Sequence, residues 1–354
     1  MDSAGKGPTE DRRHAAPGQP DMNDLHDQRR FLAVDAGQTG SRAVLVTASG
    51  RVLRHAEAAG MIYALAPGGA ALMATVLGGL RDATADGGRP PDVVALGLTA
   101  IVRGTPSEPV GVDVVDRIWP DSVRLVESDG YIAWAGATGA SPGVAAMAGT
   151  GSVAVAVNER GERAEAGGWG WLFGDPGSGW DIGRSALERM LGRWDRDLGV
   201  SPLGRLTLAN FGATEPPEIR DRIYSDDIER IEVARLARQV IRLASEGDEE
   251  AAAIVTASAA EFATDVAAAI GRLDWDREPV LVSTLGGIFR SGSIYRDPFL
   301  ASLRRQTPRD VRLADPVLSG LGGAALLALR QGGIEPTREI IEALCAGGCG
   351  GADV

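Results

Sequence analysis

Three short apolar runs in this chain each end in a glycine-rich turn: Asp35-Ala36-Gly37-Gln38-Thr39, Ala148-Gly149-Thr150-Gly151-Ser152 and Leu285-Gly286-Gly287. Such turns leave bare backbone N–H groups where a strand gives way to the next element. Open α/β sheets hold ligands at those strand ends, and amide nests there hold phosphate. Two of the three also carry a threonine hydroxyl, so together they point to a nucleotide. A fourth segment, Gly167-Gly168-Trp169-Gly170-Trp171-Leu172-Phe173-Gly174-Asp175-Pro176-Gly177-Ser178-Gly179, is too rich in glycine and tryptophan for a regular helix or strand. It is expected to shape a pocket wall, and the set reads as a phosphotransferase acting on a small molecule.

The 354 residues exceed what one core usually serves, so two domains are expected, and 44% hydrophobic residues suffice to fill both. A formal net charge of −12 argues against nucleic acid or an anionic membrane as partner. No run approaches the roughly 20 apolar residues of a membrane span, and the N-terminus lacks a signal-peptide core, so a cytoplasmic protein is expected. The sole lysine, Lys6, lies in the polar leader, which excludes a P-loop and a protein-kinase strand lysine. Of the three histidines, His14 and His26 are in the leader and His55 is on an early strand, which disfavours a histidine hydrolase or a zinc enzyme. Acid–base work therefore falls to carboxylates. Cys345 and Cys349, the only cysteines, make no closed metal site and are expected to be inert.

Residues 1–29 mix Gly, Pro, Asp, Arg and Gln without periodicity and read as a disordered leader. Apolar runs predict strands at Phe31 to Asp35, Arg42 to Thr47, Arg51 to Ala58, Val93 to Leu98 and Val123 to Glu127, with helices near Ala70 to Ala85 and Pro109 to Ile118. The order then restarts: Gly143 to Ala148, Val153 to Asn158 and a short strand near Ala164, followed by a helix from Trp180. Helices over Ile228 to Glu246 and Glu249 to Arg272, a strand at Pro279 to Leu285 and a final helix pair from Leu318 and Pro336 complete it. The repeat predicts a duplicated βββαβα unit, with an N-terminal domain over 30–138, a C-terminal domain over 139–346 and a flexible tail over 347–354.

These motifs, in this order, resemble the N-acetylglucosamine and glucosamine kinase group of the BadF/BadG/BcrA/BcrD-type ATPases, within the actin, hexokinase and Hsp70 superfamily. Asp35 to Arg42 resembles the first phosphate motif, Ala148 to Ser152 the second and Leu285 to Phe289 the adenosine motif. Gly168-Trp169-Gly170 with Gly174 to Ser178 resembles the sugar-kinase signature, and Glu127-Ser128-Asp129-Gly130 the segment with the catalytic acid. The resemblance implies an actin-like, ribonuclease H-like α/β fold with two domains flanking a nucleotide cleft, ATP and Mg²⁺ as cofactors, a sugar phosphorylated on its 6-hydroxyl, and a homodimer.

Asp35, at a strand end beside a phosphate turn, is placed to hold Mg²⁺, which prefers hard oxygen ligands. Gly37, Gln38, Thr39, Arg42, Gly149, Thr150 and Gly151 would surround the phosphates, and Gly286, Gly287 and Ser291 the adenosine. Glu127 and Asp129, two apart on an extended segment, share a face, so either is a candidate base for the sugar hydroxyl; the family pattern favours Asp129. The competing reading of Asp129 is a helix N-cap before Tyr131 to Ala137, a role that could coexist with the first. By resemblance, Ser152, Gly168, Trp169, Gly170 and Asp175 contact the sugar.

The chain departs from the family in four places. No asparagine stands in Gly60 to Leu65, Pro176 replaces the usual Glu, Leu98 to Val102 is apolar, and Gln38 stands where glycine is usual, which requires a negative φ there. The first three suggest a less polar sugar derivative, of muramic or anhydro type. An ATPase of the 2-hydroxyacyl-CoA dehydratase activator kind is the competing reading; it needs cluster-binding cysteines, and residues 1–344 contain none.

Overall fold

The computed structural model describes residues 28–351, apart from Ala100 and Asp226. The expected leader therefore lies outside the described residues, save for Gln28 and Arg29. Strands β1 (Phe31–Ala36), β2 (Ser41–Val46), β3 (Val52–Ala58), β4 (Val93–Leu98) and β5 (Val123–Glu127) form one sheet in the order β3-β2-β1-β4-β5. Strands β6 (Gly143–Ala148), β7 (Ser152–Val157), β8 (Arg163–Gly167), β9 (Val280–Leu285) and β10 (Val311–Ala314) form the second, in the order β10-β9-β6-β7-β8. In both, the first three strands are an antiparallel meander and the last two pair in parallel. The sheets are thus two copies of one topology, the expected duplication. The first turn of each copy is a glycine turn, closed by Ala36 opposite Ser41 in one and Ala148 opposite Ser152 in the other.

Strand β1 is buried on both faces, as parallel-paired strands must be. Leu32, Val34 and Ala36 face an outer core with α1 (Gly69–Ala83) and α2 (Ser107–Ile118). Phe31 and Ala33 face a core shared by the two sheets. That shared core is built on α3 (Asp129–Ala137), which follows β5, and α10 (Gly320–Gln331), which follows β10. The two helices are counterparts under the duplication and meet through glycine. A Cβ on Gly323 of α10 would lie 1.9 Å from the Ile132 carbonyl oxygen of α3, and one on Gly136 of α3 would lie 2.1 Å from that of Ser319. Because α10 packs on β1 and β4, the second half of the chain completes the first sheet. The second sheet's outer face carries α4 (Gly179–Trp194), α7 (Arg230–Ser245), α8 (Glu249–Gly271) and α9 (Ser293–Gln306), with α5 (Pro202–Phe211) and α6 (Pro216–Tyr224) beyond α4.

Three sequence expectations are corrected. Helix α8, at 23 residues, is long and apolar enough to cross a membrane, contrary to the reading that no run comes close. Its Val255, Phe262, Ala263 and Val266 are fully buried against the second sheet, so it serves as a core helix. The expected tail is packed as far as Gly351: after α11 (Arg338–Leu344) the Cys349 carbonyl accepts the Ser319 N–H at 2.9 Å, and the Gly347 carbonyl contacts His55 Nε2 at 2.7 Å. Residues 352–354 lie outside the described ones. Both cysteines are free; Cys349 is buried, which pushes its thiol up to about 11. Finally, Asp129 does not cap α3. Ser128 takes that role, its hydroxyl accepting the Tyr131 N–H at 3.2 Å.

Candidate active site

Strand register sets out the acidic floor of the site. Glu57, Arg42, Asp35, Gly97 and Glu127 are paired in one row across β3, β2, β1, β4 and β5, at the end where the glycine turn opens. Arg42 Nη2 lies 3.2 Å from Asp35 Oδ2. Gly97 leaves room for Ile132, which brings the first turn of α3 over the row: a Cβ there would be 2.3 Å from Ile132 Cδ1. On the other side α10 begins against Asp35, whose Oδ2 lies 3.3 Å from where a Gly320 Cβ would stand. The positive end of that helix thus faces the carboxylate. Burial raises the Asp35 pKa; Arg42 opposes the shift and the nearby Asp129 charge adds to it.

Asp129 opens α3. Its Oδ1 accepts the N–H of Gly130 at 2.8 Å, and Thr99 hydrogen-bonds the same carboxyl. No ion pair with it is recorded, and desolvation raises its pKa despite those two bonds. Glu127 is differently placed. Both of its oxygens accept from Nη1 of Arg163 on β8, at 2.9 and 3.0 Å, and Arg103 lies 3.9 Å away. Of the two acids that the sequence left as candidates for the base, Glu127 is bound up in an ion pair and Asp129 is not.

The three glycine turns lie at the carboxyl ends of β1, β6 and β9. No hydrogen bond is recorded for the backbone N–H groups of Gln38, Thr39 and Thr150, nor for the two threonine hydroxyls. Gln38 is not among the residues of positive φ, so the condition on its side chain is met. The second and third turns abut: Gly286, at φ 94°, sits where a Cβ would be 2.3 Å from the Ala148 carbonyl oxygen, which accepts the Ile288 N–H at 3.2 Å. Gly287 is exposed beside them, and the Ser291 hydroxyl donates to the Ile288 carbonyl at 2.5 Å.

The loop from Gly168 to Ser178 folds back on the second turn. Gly168 N–H donates to the Ser152 carbonyl at 3.0 Å, and the Ser152 hydroxyl to the Pro176 carbonyl at 2.7 Å. Asp175, with a left-handed φ of 57°, is 3% exposed, and its carboxylate abuts Gly151. It accepts N–H groups from Ser152 and Gly170 and pairs with Arg230 at 3.7 Å, while desolvation raises its pKa. Ser152 and Asp175 therefore brace the loop in this structure. The loop tip is open: Trp169 is 78% and Phe173 84% exposed, so Trp169 stands free of any wall. Sequence reasoning missed Arg163, Arg230 and Thr99, because a single arginine or threonine carries no local motif and their partners are remote in sequence.

Among the described residues no group of three or more His, Cys, Asp or Glu gathers to hold a metal. Mg²⁺ on a nucleotide takes one or two carboxylates besides phosphate and water. Asp35, backed by Asp129 and partly open to solvent, fits that need.

The sequence profile of the BadF/BadG/BcrA/BcrD ATPase family matches residues 32–328. An N-acetylmuramic acid/N-acetylglucosamine kinase of Clostridium acetobutylicum is 28% identical over 204 residues, covering 58% of this chain and 66% of that protein. An N-acetyl-D-glucosamine kinase of Dictyostelium discoideum is 26% identical over 316 residues, covering 85% and 98%. The solved structure of a Chromobacterium violaceum protein assigned as an N-acetylglucosamine kinase superposes with a TM-score of 0.65 at 25% identity, covering 85% of this chain and 99% of that one. With its duplicated actin-like sheets and glycine turns matched from end to end, the chain belongs to the BadF/BadG/BcrA/BcrD ATPase family.

Proposed function

We propose that this protein is an ATP-dependent sugar kinase that transfers the γ-phosphoryl group to the 6-hydroxyl of an amino sugar, N-acetylglucosamine or its N-acetylmuramic acid derivative. The observation that carries the reading is Asp129: an acid without an ion pair, of raised pKa, at the start of a helix beside the Asp35 row and the amide-rich turns. The sugar hydroxyl gives its proton to Asp129 as its oxygen bonds to the γ-phosphorus; the bond to the β–γ bridging oxygen breaks and ADP leaves. Asp35 would hold Mg²⁺, whose charge would neutralise that of the phosphates. Gln38, Thr39 and Thr150 offer N–H and hydroxyl donors to the phosphate oxygens, and Gly286, Gly287 and Ser291 flank the adenosine. Trp169 covers the sugar as the loop shuts, excluding water that would hydrolyse ATP.

The muramic variant is supported by the apolar Gly60 to Leu65 and Leu98 to Val102 segments and by the name of the Clostridium relative. A coupled ADP-release assay with Mg-ATP and a panel of N-acetylglucosamine, glucosamine, N-acetylmuramic acid, N-acetylmannosamine and glucose tests the reading. Sugar-dependent ADP release with the first or third is expected, and sugar-independent release would overturn it.

A further inference from the structure

Asp129 sits between two residues that one side chain from the opposite sheet holds at once. Arg163 of β8 gives Nη1 to both oxygens of Glu127, and its guanidinium lies over the Tyr131 ring at 3.4 Å from the centroid. Glu127 ends β5 and Tyr131 belongs to the first turn of α3, so Arg163 grips the chain two residues before Asp129 and two residues after it. The grip is well sheltered: the side chains of Arg163 and Glu127 are 30% and 9% exposed. Register puts Arg163 and Glu165 on one face of β8, opposite Val157 and Val155, and Val155 Cγ2 lies 3.3 Å from where a Gly130 Cβ would stand. Strand β7 thus packs on the segment that carries the acid, and β8 reaches it from beside β7 through the Arg163 side chain. Resting on the reading of Asp129 as base, we infer that Arg163 is a positioning residue, a clamp from the second sheet that fixes the Glu127–Tyr131 segment.

Removing Arg163 takes away both holds and leaves Glu127 with the more distant Arg103, 3.9 Å off and largely exposed. The segment then loosens and the Asp129 carboxylate is misplaced; a shift of about 1 Å costs on the order of 100-fold in rate.

Two readouts test this, one without turnover. Amide hydrogen exchange of Gly130 and Tyr131, read by ¹H–¹⁵N NMR, should quicken at least about 10-fold in Arg163→Gln while protection in β1 and α8 stays at the wild-type level. In the kinase assay Arg163→Gln should lower kcat about 10- to 100-fold and leave the KM for Mg-ATP within about twofold, with Arg163→Lys intermediate because it keeps the charge and loses the planar stack. Unchanged exchange at Tyr131 in Arg163→Gln, or an unchanged kcat, overturns the clamp. Should the wild-type protein phosphorylate no sugar, the proposed function falls, and the exchange measurement alone still decides whether Arg163 holds the segment.

Discussion

Gly323→Ala probes the seam that joins the two halves of the site. A Cβ there would lie 1.9 Å from the Ile132 carbonyl oxygen, 2.3 Å from the Gly136 nitrogen and 2.9 Å from its Cα, all backbone atoms of α3 that no rotamer change can move. An ordinary contact is about 3.5 Å, so α3 and α10 must part by about 1.5 Å. Overpacking of this kind costs about 1–3 kcal/mol or more, against a gain of about 1 kcal/mol from alanine's helix propensity. With backbone on both sides the upper end applies, and a net loss of about 2 kcal/mol corresponds to a fall in Tm of about 3 °C for a chain of 354 residues. Gly79→Ala in α1 is the matched control: nothing lies within 4 Å of its Cβ position, so the same substitution there should hold or raise Tm. Circular-dichroism melts of the two variants make the comparison. Since α3 carries Asp129 and α10 begins against Asp35, Gly323→Ala should also lower kcat by on the order of 100-fold. A Gly323→Ala protein as stable as wild type would refute the close packing of the two helices.

Four further outcomes follow from the site. Asp129→Asn should abolish turnover yet raise Tm at pH 7: the folded pKa lies above the unfolded one, so the ionised carboxylate destabilises the fold, and the neutral amide removes that penalty. The Tm gap should close as pH falls through the raised value of Asp129, where the wild-type carboxyl is itself protonated. The same shift places the acid limb of kcat/KM above the ordinary carboxylate value of 3.8, with rate lost as pH falls, and a pH–rate profile reads it. Asp35→Asn should raise the Mg²⁺ concentration needed for half-maximal rate by 10-fold or more, measured by titration at fixed ATP. Trp169→Ala, altering a side chain 78% exposed, should leave Tm within about 1 °C while raising the KM for sugar several-fold.

The sequence made the strands of the meanders legible because apolar runs alternate with glycine turns, and the repeated order disclosed the duplication. Strand β10 escaped notice: Val311–Ala314 is four residues long and takes its register from β9. Helix α9 was hidden by Pro298 in its interior and by Gly292 at its cap, both of which read as breaks. The site divided in the same way. Asp35, Asp129 and the glycine turns announce themselves through local pattern, whereas the Arg163–Glu127 pair spans 36 residues and two sheets. The sequence likewise could not decide between Glu127 and Asp129, since that choice depends on which acid the remote arginine engages. Nor could it foresee that Asp175, a left-handed residue among glycines, would turn its carboxylate onto backbone N–H groups.

The central claim is that Asp129 accepts the proton of a sugar hydroxyl during phosphoryl transfer. The most direct test is single-turnover transfer from [γ-³²P]ATP, with label counted separately in sugar phosphate and inorganic phosphate for the wild-type protein and Asp129→Asn. The account predicts that wild type puts nearly all label into sugar phosphate, while Asp129→Asn binds Mg-ATP normally and labels sugar at least about 100-fold more slowly. Label appearing mainly as inorganic phosphate in wild type, or sugar labelled at the wild-type rate by Asp129→Asn, would contradict it.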